Sequence, residues 1–223
     1  AYIFFFFLTE KKEELRAAIE GKTTDYFSVE EEPEDVAEKK AAGAAKAIGI
    51  AGAVPRMGTT TQAIQLVKYL MYKGYKACYI QMNNHGYVEE LMDAYEGVEE
   101  EKLIGKAVYQ EVDMYYKLEK LPEVLKRDYD YFVYDYGVFS DRDFNKLSFL
   151  EKDLLLFTVG TTLGEFMKTY QLIENNFYNS VLYIFNFVVD DKQERDDINE
   201  LMAEKEDVTF FAPDCRDPFR LCQ

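Results

Sequence analysis

Residues 48–71, IGIAGAVPRMGTTTQAIQLVKYLM, constrain this chain more than any other stretch. They read as a buried strand, a tight turn containing Gly and Pro, and a helix that begins at three threonines. Ala63, Ile64, Leu66, Val67, Leu70 and Met71 recur at intervals of three and four, which puts them on one helical face. Gly74 supplies the stop. A strand that enters a helix through such a turn aims several backbone N–H groups at one point. That point also sits at the positive end of the helix dipole, so it suits a phosphate.

The remaining apolar runs are short and alternate with helical patterns. Strands are predicted at 77–82 (ACYIQM), 131–136 (YFVYDY), 153–159 (DLLLFTV), 181–187 (VLYIFNF) and 208–212 (VTFFA). Helices are predicted at 59–73, 87–95, 121–127 (opening with Pro122), 163–175 and 190–205, the last with Ile198, Leu201 and Met202 facing inward. Residues 99–101, all glutamate, read as a solvated turn, and 108–118 as a hairpin. This alternation predicts a three-layer α/β fold whose mainly parallel sheet is covered on both faces. The expected domain spans 46–223. Residues 1–45 are expected to form an extension: an apolar run at 2–8 that is either a strand or the stub of a truncated membrane segment, a surface helix at 10–21, and an acidic linker or solvated edge at 23–40.

Charge narrows the class of partner. The chain carries 26 Lys and Arg against 42 Asp and Glu, a net charge of −16. Nucleic acid and anionic lipid favour basic faces, so neither is an expected partner. The apolar run at 2–8 is far shorter than the ~20 residues of a spanning helix, and no direct membrane insertion is expected. Cys78, Cys215 and Cys222 lack metal-ligand spacing and only one His is present. That usage predicts a reducing, cytoplasmic setting with no disulfide framework and no zinc site.

Residues 52–60, GAVPRMGTT, approximate the phosphate loop G-x-x-x-x-G-K-[ST] with one extra residue. Gly58 takes the second glycine and Thr60 the hydroxyl that would hold Mg²⁺. Thr59 stands where the lysine belongs. The alternative is that Thr59, Thr60 and Thr61 only cap a helix and Pro55 only shapes a turn. Arg56 is the one cation in the loop. It either replaces lysine on the phosphates, since guanidinium pairs bidentately with phosphate oxygens, or is an exposed arginine. His85 is either a switch-region residue or incidental.

On these segments, taken in order, the chain resembles the ParA/MinD-type (SIMIBI) branch of P-loop NTPases, with a degenerate Walker A motif. The resemblance extends to the TadZ/CpaE proteins and the bacterial tyrosine kinases of capsule synthesis. It covers roughly residues 47–213. VPRMGTTTQAI matches the loop, and DYDYFVYDYG matches the Walker B strand with Asp135 in the acidic position. VLYIFNF matches the strand whose terminal Asn, here Asn186, contacts the adenine in the family. FFAPD matches the last strand and its base loop, here at Pro213. The resemblance implies that Pro55, Arg56, Met57, Gly58, Thr59, Thr60, Thr61, Asn186 and Pro213 hold ATP, with Mg²⁺ at Thr60 and Asp135. It also implies a homodimer acting through protein partners in the positioning or assembly of a cellular machine. Two departures weaken the catalytic expectation. The loop lysines are absent, and Gln81 and Asn83 replace the carboxylates that help bind Mg²⁺ and position water in the family. Phosphoryl transfer depends on such electrostatic positioning. The sequence therefore predicts weak binding or inefficient hydrolysis. An active ATPase using Arg56 and a nucleotide-free scaffold remain as alternatives.

Overall fold

The computed structural model describes residues 45–174, 181–188, 192–215 and 217–220. The strand, helix and linker expected within the first 40 residues lie outside them. The strands are β1 (Lys46–Gly52), β2 (Ala77–Gln81), β3 (Glu99–Glu101), β4 (Lys106–Tyr109), β5 (Val112–Tyr115), β6 (Tyr131–Val138), β7 (Leu154–Val159), β8 (Val181–Asn186) and β9 (Thr209–Ala212). They form one sheet in the order β3-β4-β5-β2-β6-β1-β7-β8-β9. Every neighbouring pair from β5 to β9 is parallel, and only β3–β4 and β4–β5 are antiparallel. The mostly parallel α/β sheet expected from the sequence is therefore present.

Among the described residues six α-helices accompany it: α1 (Thr59–Tyr72), α2 (Tyr87–Ala94), α3 (Leu121–Val124), α4 (Lys146–Leu150), α5 (Leu163–Ile173) and α6 (Lys192–Met202). Because strand side chains alternate between faces, each central strand feeds two cores. Ile48, Ile50, Tyr79, Val133, Leu156 and Ile184 join α1 and α2 in one core. Cys78, Phe132, Tyr134, Phe157 and Phe185 join Val124 of α3, Phe149 of α4, Leu172 of α5 and Ile198 of α6 in the other. The predicted face of α1 is inside, and Gln62 and Gln65 of that helix are buried as well. Gly74 ends α1 at φ 84, with Tyr75 N–H on Leu70 O at 3.0 Å and Gly74 N–H on Met71 O at 2.9 Å.

The structure departs from the sequence reading in several places. Residues 99–101 are not a solvated turn but the edge strand β3, paired to β4. Its three exposed glutamates suit an edge, where charge discourages pairing with another chain. The β4–β5 hairpin turns at Gln110 and Glu111, both left-handed at φ 46 and 70. Helix α3 is one turn, shorter than expected, and the five-residue α4 was not anticipated. Leu201 is 52% exposed rather than inward-facing, whereas Ile198 and Met202 are buried. Cys215 is disulfide-bonded, so a bridge is present where no disulfide framework was expected. Among the described residues no helix is long and apolar enough to cross a membrane.

Cys78 is a free thiol buried under the α3 side of the sheet. Burial pushes its thiol well above the ordinary range, so little reactive thiolate forms. In a native-state iodoacetamide pulse followed by peptide mapping, Cys78 should label only as fast as the chain unfolds. Labelling at the rate of a free cysteine would contradict this packing.

Candidate anion-binding site at the first strand–helix turn

Residues 53–58 carry the chain from β1 into α1. Arg56 (φ 67) and Gly58 (φ 72) are both left-handed and flank Met57. A left-handed residue beside a right-handed one turns successive N–H groups toward a common concavity. Glycine suits position 58 twice over. It takes the positive φ freely, and a Cβ there would lie 2.2 Å from Asn186 Nδ2. Helix α1 starts with no side-chain cap. Among the described residues, the N–H groups of Arg56, Met57, Gly58, Thr59, Thr60 and Thr61 meet no acceptor. Gln62 N–H is the first to do so, on Gly58 O at 2.9 Å. A run of open donors at a helix N-terminus is an electrostatic seat for an anion.

Beneath the loop, polar side chains stand at the C-terminal ends of the strands, on the α1 face. Asp135 of β6 is fully buried. Its Oδ2 accepts from Thr60 Oγ1 at 2.6 Å and from Tyr79 OH at 2.8 Å, and its Oδ1 accepts from Gly137 N–H at 2.9 Å. Burial, then the adjacent Asp135 charge, pushes the Tyr79 phenol well above its usual range. Thr59, at the lysine position, turns inward: its hydroxyl lies 2.9 Å from Thr158 Oγ1 of β7. Gly52 makes room for it, since a Cβ at 52 would approach Thr59 Oγ1 to 2.4 Å.

On β8, Asn186 Nδ2 donates to Met57 O at 2.8 Å, which fixes the amide's orientation because a carbonyl only accepts. Its Oδ1 must then face Gln62 Nε2, at 3.2 Å. Gln62 Oε1 is left buried and without a partner. Asn186 thus lies beside the loop. Pro213 follows Ala212, the register partner of Asn186, and is exposed.

The other predicted residues separate into engaged and open. Pro55 and Arg56 are exposed, Met57 is buried, and Thr61 is half-buried. Gln81 Oε1 accepts Val88 N–H and its Nε2 donates to Glu89, both at 3.0 Å. Asn83 Nδ2 donates to Asp135 O at 3.0 Å. His85 Nε2 lies 2.9 Å from Asp141 Oδ2 across the neighbouring loop. Sequence reasoning missed Tyr79, Thr158 and Gln62. A tyrosine inside ACYIQM and a threonine ending DLLLFT were the available signals, because a buried hydroxyl requires a partner.

These residues fit an anion and, in part, a divalent cation. The loop offers open N–H donors and no acidic side chain. The Thr60 hydroxyl donates its hydrogen bond to Asp135, which leaves its oxygen lone pairs for a cation. Both Asp135 oxygens are engaged by protein donors. Among the described residues no group of three or more His, Cys, Asp or Glu could hold a metal ion.

The fold is shared with solved P-loop proteins. No protein-family model and no curated protein matches the chain. A plasmid partition protein from Borrelia burgdorferi B31, bound to AMPPNP, superposes with a TM-score of 0.56 at 16% identity, over 78% of this chain and 89% of that one. The MinC:MinD cell division complex of Aquifex aeolicus gives 0.52 at 15% identity, over 77% and 83%. FlhF complexed with GMPPNP and Mg²⁺ gives 0.51 at 17% identity, over 80% and 70%. At such identities the likeness establishes a P-loop NTPase-like α/β fold, as the ParA/MinD resemblance implies.

Replacing Asp135 tests this cluster. Asp135→Ala strands three donors and should cost about 3 kcal/mol by urea unfolding. Asp135→Asn should cost less, because the hydroxyls of Thr60 and Tyr79 can accept from an amide. Equal stability of the Ala and Asn variants would show that these bonds do not hold the site together.

Proposed function

We propose that the turn at 53–61 binds the phosphates of a nucleotide, ATP with Mg²⁺, and that the chain hydrolyses it slowly or not at all. The carrying observation is the run of open N–H groups from Arg56 to Thr61 above the Thr60–Asp135 pair. In this reading the N–H groups hold phosphate oxygens, and Met57 is kept in place from below by Asn186. Thr60 holds Mg²⁺ through its oxygen while Asp135 fixes its rotamer. A bound Mg²⁺ would supply the positive charge that neutralises the phosphates. Asn186 and Pro213, at the ends of β8 and β9, flank the base.

The same side chains argue against rapid turnover. Thr59 spends its hydroxyl on Thr158, so the lysine position offers the phosphates no charge. Gln81 holds the start of α2, and Asn83 holds the β6 backbone. Neither is placed to orient an attacking water. The neighbours solved with AMPPNP and with GMPPNP and Mg²⁺, and the MinC:MinD complex, support an extension by analogy. We infer a homodimer that acts through protein contacts in positioning or assembly, in the manner of TadZ/CpaE proteins. A net charge of −16 opposes DNA as the surface it works on. We place it in the cytoplasm, and the disulfide at Cys215 is the observation that counts against this. Arg56 keeps the active-ATPase reading alive, being exposed and without an ion-pair partner among the described residues.

A thermal-shift titration with ATP and Mg²⁺, followed by phosphate release, separates the readings. A Kd of about 0.1 mM gives roughly 1.4 kcal/mol at 1 mM ligand, and so raises Tm by about 3–5 °C. Gly58→Ala should abolish the shift. Turnover that disappears in Arg56→Ala would establish an active ATPase. The absence of any shift with ATP or tripolyphosphate would leave a nucleotide-free scaffold.

A further inference from the structure

Helices α1 and α2, strand β4 and residues 217–219 border a second, half-open space. This cavity measures about 530 Å³ and is walled by the rings of Tyr87, Tyr95, Tyr109 and Phe219 and by Glu90 and Asp217. That volume lies within the range of small-molecule sites. The rings touch one another: Tyr109 meets Phe219 edge-on at 4.8 Å, and Tyr95 meets Tyr109 at 5.5 Å. The wall contributed by 217–219 is fixed in place. Gln65 Nε2 donates to Pro218 O at 2.6 Å and to Arg220 O at 2.8 Å, and Asp217 Oδ1 accepts Phe219 N–H at 3.0 Å.

Among the described residues the chemistry of the walls is one-sided: no Lys or Arg lines the cavity, and neither Glu90 nor Asp217 has an ion-pair partner. Ring faces are the negative poles of aromatic side chains and attract cations. The Tyr87 phenol is pushed up by burial first, then by Tyr95 and the carboxylates of Asp217 and Asp135. A phosphate or carboxylate would be repelled here. A bare divalent ion would want six or more oxygen ligands, and the aromatic walls do not offer them. What fits is a positive charge carried on an apolar stem.

We propose that this cavity binds an organic cation, an alkylammonium or guanidinium group, delivered either as a free small amine or as a Lys or Arg side chain of a protein. The inference does not rest on the nucleotide reading, and its probes carry no phosphate. Thr61 nevertheless belongs both to this wall and to the open-donor run. A cation held here therefore sits beside a loop that has lost its lysine.

Calorimetric titration of the full chain with n-butylguanidinium tests this. Saturable binding is expected, at least about tenfold tighter than for the neutral isostere n-butylurea. Glu90→Gln and Tyr95→Ala alter exposed positions and so spare the fold. Each should weaken binding by about fivefold. Glu119→Gln, equally exposed but outside the cavity, should leave it unchanged. Equal binding of the urea, an equal loss in Glu119→Gln, or no saturable binding would overturn the proposal. In a second arm, Gly-Arg-Gly binding more tightly than spermidine assigns the cation to a protein side chain. The reverse order assigns it to a free amine.

Discussion

The 2.6 Å hydrogen bond from Thr60 to Asp135 ties the first turn of α1 to the middle of the sheet. Asp135 is a carboxylate with no exposed surface. Burying a charge without partners costs several kcal/mol, so its three donors are a condition of the fold. They come from three places: Thr60 on α1, Tyr79 on β2 and Gly137 after the bend in β6. The register of β6 against β1 slips between Ile50 and Gly52, next to this bend. The open-donor loop is therefore mounted on a helix whose start is fixed from below by charge.

The sheet segregates its polar residues by face. Along β6, β7 and β8 the side chains alternate, and Asp135, Thr158 and Asn186 all fall on the α1 side at the C-terminal ends. β1 and β6 are neighbours whose following connections leave over opposite faces, α1 on one and α4 on the other. Ligands in open α/β sheets collect at such a switch point. Each of the three polar residues is spent on the loop or on α1, through Met57 O, Thr59 or Thr60. The polar floor thus shapes the loop, and the loop's own backbone is what faces outward.

Much of this was legible from residue patterns. The run from Ile48 to Met71 and the apolar strands YFVYDY and VLYIFN carry the parallel sheet, because buried strands and an amphipathic helix leave unambiguous spacing. Strand β3 was not legible, since EEE has no apolar period and exists only because β4 pairs with it. Helix α4 is too short for periodicity, although Asn145 accepting Ser148 N–H at 3.0 Å is a capping signal within the sequence. At the site, the loss of the lysine could be read directly. The inward turn of Thr59 toward Thr158, 99 residues away, could not, because spacing along a chain says nothing about which hydroxyls meet. The link from Tyr79 to Asp135 was hidden for the same reason.

Residues 217–220 come after β9, yet one of them belongs to the interior. Phe219 is 4% exposed in the α1-side core, and a single buried glutamine, Gln65, grips the backbone around it. This segment therefore works as a strap over α1. A reporter inserted directly after Arg220 would pull on that strap, whereas one inserted at the β4–β5 turn would not. Shortening the chain to the end of β9 would remove a core side chain and leave a buried amide with no carbonyl to hold.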